Sequence, residues 1–157
     1  MPPKNADEPE NSADTPRRSF PRGGPTAAEK RALRTQLMTM RAKILRSSKD
    51  LADEALKGSG QDFSVDHMAD HGSDNQEQEV TLSLLEGEQE MLDAIELAIR
   101  RIDGAEVPPY GICINCAALD SWPKDSPAPW IPTGRLQVLP YAPLCVAHQE
   151  EQEEVEA

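Results

Sequence analysis

Residues 26–58, TAAEKRALRTQLMTMRAKILRSSKDLADEALKG, decide the fold. Thr26 followed by Glu29 has the spacing of a capping box, in which hydroxyl and carboxylate each satisfy the other's backbone N–H at a helix start. Apolar residues then recur at Leu33, Leu37, Met40, Ile44, Leu51 and Ala55, a three-and-four spacing that collects them on one helical face. Positions 37, 44 and 51 are seven apart, as are 33 and 40, with polar Ser47 next in the second series. Such a face resembles a coiled-coil seam and needs a partner helix. Gly58 and Gly60 favour leaving the helix there.

The partner follows a polar stretch that runs through about Ser73. Leu85, Leu92 and Ile99 form one seven-residue series, Ile95 and Ile102 another, and Leu84, Met91 and Ala98 widen the stripe. Gly87 inside it costs about 1 kcal/mol relative to Ala and marks a place for local weakness or a bend. Gly104, Pro108 and Pro109 end the segment. Residues 26–58 carry eight Lys and Arg against four Asp and Glu, whereas 74–103 carry two against nine, so opposite charge favours pairing. A connection of roughly 15 residues makes the antiparallel arrangement simplest, giving a hairpin on the order of 45 Å long. Leu37, Ile44, Leu92, Ile95 and Ile99 are then expected to be buried. On pattern alone, a bundle fragment completed by dimerisation explains the seam equally well.

Composition narrows the rest. Only 4% of the 157 residues are aromatic, which argues for a thin helical fold, and the net charge of −12 opposes general affinity for nucleic acid phosphates. No sequence-specific DNA contact is expected. Residues 1–25 hold six prolines and two glycines without an apolar period, the composition of a disordered tail. The start MPPKNADEPE lacks a secretory pattern and no run of about 18 apolar residues occurs, so a cytoplasmic protein without membrane contact is expected. The C-terminal QEEQEEVEA carries five glutamates and reads as a solubilising end.

Three cysteines cannot pair completely, and a reducing compartment disfavours disulfides. Cys113-Ile114-Asn115-Cys116 is followed, after 28 residues, by Cys145-Val146-Ala147-His148. Two residues separate the members of each pair, so one turn can aim both donors at one ion, and three thiolates with one imidazole suit tetrahedral Zn²⁺. Gly111 suits the turn before the first pair. One structural zinc bound by Cys113, Cys116, Cys145 and His148 is expected, with about 10–16 kcal/mol of apparent binding free energy to stabilise a segment poor in apolar core. The blander alternative is that the cysteines are small buried residues and His148 lies on a solvated helix. A catalytic zinc would need an open position and a nearby base. Trp122, Pro123, Pro127, Pro129, Trp130 and Pro132 read as a stiff loop around the finger, the tryptophans as packing residues.

Asp66, Asp70 and Asp74 recur every four residues, so on a helix they share a face, and like charges at that spacing oppose helix formation. Solvent or a cationic partner explains such a face. Asp74 with Glu77 equally fits a helix start, and Asp66 and Asp70 equally fit a soluble turn. His67 and His71 are one helical turn apart, and exposed histidines in a loop are commonplace.

The fold class is thus mainly α: a long antiparallel helical hairpin with a small C-terminal zinc finger and a disordered N-terminal tail. Its parts are a tail at 1–25, the hairpin at 26–104 with its tip near 60–74, the finger at 105–150 and an acidic tail at 151–157. With the hairpin closed on itself, a monomer is expected.

The order of hairpin, Asp70-His71-Gly72-Ser73-Asp74, Tyr110-Gly111-Ile112-Cys113, then Ile131-Pro132, Arg135-Leu136 and Pro140-Tyr141 before Cys145 resembles the DksA/TraR family across about residues 26–150. The resemblance implies a non-enzymatic transcription regulator that binds RNA polymerase, inserts its coiled coil into the secondary channel and modulates initiation through acidic residues at the tip, here Asp66, Asp70 and Asp74. Three departures stand out. His148 replaces a cysteine of the best-known members, residues around 117–130 lengthen the finger, and Asp70 and Asp74 have three residues between them with Ala69 in front. A zinc-finger adaptor whose hairpin binds an unrelated protein would keep finger and seam but make the tip aspartates dispensable.

Overall fold

The computed structural model describes residues 19–59 and 71–157, with side chains for 19–56 and 76–157. Two long helices, α1 (Ala27–Ser59) and α2 (His71–Ile102), pair with each other. At 1.5 Å per residue each is about 50 Å long. The capping box forms as expected: the Thr26 N–H donates to Glu29 Oε2 at 2.7 Å, and the Glu29 N–H donates to Thr26 Oγ1 at 3.2 Å. α1 is described as far as Ser59, and Arg100 and Arg101 occupy the last turn of α2, where cations offset the exposed carbonyls. α2 runs unbroken through Gly87, where an added Cβ would meet nothing within 4 Å.

Cross-helix polar contacts fix the register. Arg34 grips Asp103 with two bonds of 2.9 and 3.0 Å, Arg41 Nη2 lies 3.1 Å from Glu96, and Ser47 and Ser48 both donate to Glu88 at 2.6 Å. Partners advance along α1 as they retreat along α2, as an antiparallel pair requires. Ser47, the polar interruption of the seam, is therefore matched by a carboxylate rather than by a side chain of the apolar stripe.

Burial is concentrated at the base of the hairpin. Leu37, Leu92 and Ile95 are buried, as expected, whereas Ile44 and Ile99 are only partly so. One facing helix leaves the flanks of a seam residue open unless a third element closes them. The finger is that element: Leu33, Leu37, Ile95 and Ala98 share one cluster with Tyr110, Ile131, Leu136 and Leu144. Further out Leu56, Val80, Leu82 and Leu84 are exposed.

The finger holds three short helices, α3 (Ile114–Ala117), α4 (Thr133–Val138) and α5 (Val146–Glu156), and an isolated antiparallel bridge between Ile112 and Trp130. Two stretches differ from their composition. Residues 19–25, grouped with the tail, lie along the finger: Pro25 is buried, Trp130 Nε1 donates to the Pro21 carbonyl at 2.9 Å, and the rings of Phe20 and Trp122 are 5.9 Å apart. Gly24, at φ +82°, gives the reason, because a Cβ there would collide with the Trp130 ring. Likewise the acidic end continues as helix to Glu156, supported by Gln149–Glu153 and Gln152–Glu156 hydrogen bonds one turn apart. No described helix is long and apolar enough to cross a membrane.

Candidate metal centre

Each pair of expected ligands starts a helix. Cys113 caps α3 and Cys116 lies in its single turn; Cys145 caps α5 and His148 lies in its first turn. A cap and the residue three positions on project to the same side, so each turn presents two donors. Backbone links the first turn to the approach of the second, the Ile114 N–H donating to Pro143 at 3.0 Å, and to the 129–131 segment, the Cys113 N–H donating to Pro129 at 2.9 Å and the Ile131 N–H to Gly111 at 2.7 Å. Gly111 itself has φ +96°, and a Cβ there would sit 2.8 Å from Pro25 Cδ.

The four donor atoms lie within 4.8 Å of one another. His148 Nδ1 is 3.3 Å from the Cys113 and Cys145 sulfurs and 3.4 Å from that of Cys116, and the Cys116 and Cys145 sulfurs are 3.9 Å apart. One imidazole nitrogen can serve one hydrogen bond, not three. The separations instead match the edges of a tetrahedral zinc site, roughly 3.5–3.8 Å for Zn–S of about 2.3 Å and Zn–N of about 2.0 Å. The donor set thus fits a zinc ion. Cys113 and Cys116 are buried, and Cys145 and His148 partly so.

Electrostatics within the cage are uneven. Burial acts to raise the Cys113 thiol, but backbone N–H groups of Cys116 and Cys145 and the His148 side chain outweigh it and hold it at about 7. Cys116 is pushed up to about 12 by burial and by the neighbouring sulfurs. Three thiolates crowd one another, and a dication at their centre reverses that penalty.

Several supporting residues carry no sequence signature of their role. Arg101, at the end of α2, is buried and donates to the carbonyls of Pro108 at 2.8 Å, Pro109 at 3.0 Å and Ile112. Tyr110 donates to the Pro140 carbonyl at 2.7 Å, and burial pushes its phenol up to about 12. Trp122 Nε1 donates to the Cys116 carbonyl at 2.8 Å, tying the loop that follows α3 to the first ligand turn. Of the tip residues, Asp66 and Asp70, with His67, lie outside the described residues; Asp74 and His71 are described only as part of the α2 backbone.

No protein-family model and no curated protein matches the chain. Among solved structures, that of transcription factor DksA2 from Pseudomonas aeruginosa is similar at a TM-score of 0.62 and 25% identity, covering 83% of this chain and 87% of that one.

Proposed function

We infer, from its being a DksA/TraR-like protein, that this chain is a transcription regulator which binds RNA polymerase and carries its acidic tip into the secondary channel. The observation that carries this reading is a two-helix hairpin rooted through a shared apolar core in a Cys/His finger, an architecture similar to that transcription factor's across most of both chains. A pair of helices is narrow, about 20 Å across with side chains, and about 50 Å long, so it suits a channel that would exclude a globular domain. The exposed outer half of the hairpin is the part that would enter.

In this reading Cys113, Cys116, Cys145 and His148 hold one Zn²⁺, which when bound cross-links the two ligand turns. Four protein donors fill a tetrahedron, so the ion's role is structural rather than catalytic, in keeping with a regulator that is not an enzyme. It works as a cytoplasmic monomer, reaching DNA through the polymerase rather than through a sequence-specific contact. The tip aspartates Asp66, Asp70 and Asp74 supply charge near the polymerase's catalytic centre, while finger and hairpin supply the docking surface.

That division of labour is testable. Asn preserves size and capping ability while removing charge, so Asp70→Asn and Asp74→Asn should leave binding to core polymerase intact and reduce the effect on transcription at saturating protein. A wild-type transcriptional response from both variants would rule out the charged tip. Failure of the wild-type protein to bind polymerase would favour an adaptor with another partner.

A further inference from the structure

Arg101 is a buried charged side chain, only 4% exposed, whose hydrogen-bond partners are three neutral carbonyls. None of the ion pairs formed by the described residues includes it. A buried cation without a counter-ion is costly, and carbonyl dipoles compensate only in part. Burial acts to lower its pKa, and the groups that oppose this are Tyr110 and Cys113. The third carbonyl it grips belongs to Ile112, the residue directly before the first ligand, and Ile112 and Cys113 are both fully buried.

The charge of the ligand cage completes the picture. Three thiolates and a neutral imidazole around a divalent ion leave one net negative charge in a site largely removed from water. We propose that Arg101 is the internal counter-charge of this cage, and that its fork positions the backbone of residues 108–112 so that Cys113 faces the ion. The proposal rests on the zinc reading above. It assigns the hairpin a second role, because the residue that balances the finger comes from the last turn of α2. Metal loading of the finger and the seating of the hairpin on it are thereby coupled through one side chain.

The test separates charge from scaffolding by varying the charge of the cage. Zn²⁺ affinity is measured by chelator competition for full-length wild-type protein, R101K, R101Q and R101M, each also combined with H148C, which gives the cage a fourth thiolate. Circular dichroism in excess zinc checks folding; if R101M does not fold, R101Q provides the neutral side chain. Neutral variants should bind zinc about 10- to 100-fold more weakly, as loss of groups surrounding metal ligands commonly does. R101K, which keeps the charge, should recover part of that loss. The penalty of the neutral variants should be about threefold or more larger in the H148C background. An equal penalty in both backgrounds, or none, overturns the counter-charge. Wild-type protein purified without zinc and unable to bind it would overturn the zinc reading and this inference together, whereas normal wild-type affinity with an unresponsive Arg101 overturns the inference alone.

Discussion

His148 and the three cysteines meet because each pair spans the first turn of a helix and the backbone between the turns is hydrogen-bonded across. That much was legible in the spacing of Cys113, Cys116, Cys145 and His148, since a two-residue gap constrains geometry locally. The bonding roles of Arg101 and Tyr110 were not legible, although Tyr110 belongs to the run before the first pair. Their partners, the carbonyls of Pro108, Pro109, Ile112 and Pro140, are backbone atoms that any sequence supplies, and only the folded chain brings them within reach. The same holds for Trp130 and Pro21, which are bonded across 109 positions of sequence. Wild-type protein should contain about one zinc per chain, and Cys113→Ser should lose it, because a hydroxyl is a poor replacement for a thiolate in a closed site. Metal analysis of purified protein decides this, and full zinc retention by the variant would remove Cys113 from the ligand set.

The hairpin helices were the most legible elements, because capping and apolar period agree with one another. Thr26 and Glu29 form the expected reciprocal cap, and α1 is helical from Ala27 to Ser59. The sequence pattern did not reveal how far burial extends, since a seven-residue repeat specifies which side faces the partner but not what closes the flanks. Gly87 gives a direct test of the exposed half. Its helix is continuous and its missing Cβ faces open space, so Gly87→Ala should stabilise the hairpin by about 0.5–1 kcal/mol, measured by thermal or denaturant unfolding. A destabilised variant would mean that the glycine serves a bend.

Glu88 gives the second test at this scale. Hydrogen bonds from Ser47 and Ser48 hold its carboxyl below the usual carboxylate range, as Arg34 does for Asp103. A lowered folded-state pKa means that stabilisation is present above the unfolded value of about 4.3 and is lost as pH falls through the folded value. Wild-type protein should therefore be more stable than Glu88→Gln near neutrality, with the difference shrinking towards zero as the pH falls below about 4. Comparing the two proteins at each pH cancels the separate loss of thiolate ligands to protons. A difference that grows in acid would contradict the assignment.

At the scale of the whole molecule, a slender helical pair stands on a finger that the loop after α3, the 19–25 segment and the ligand turns hold together. Among the described residues, Leu56, Val80, Leu82 and Leu84 lie exposed on the half of the hairpin away from the finger, which fits a probe. Entry of this probe into RNA polymerase is decided by site-specific photo-crosslinking from position 70 in complex with core polymerase. Crosslinks are expected to polymerase segments lining the secondary channel near the catalytic centre. Crosslinks confined to the outer surface of polymerase, or none under conditions in which the protein is folded and zinc-loaded, would contradict it.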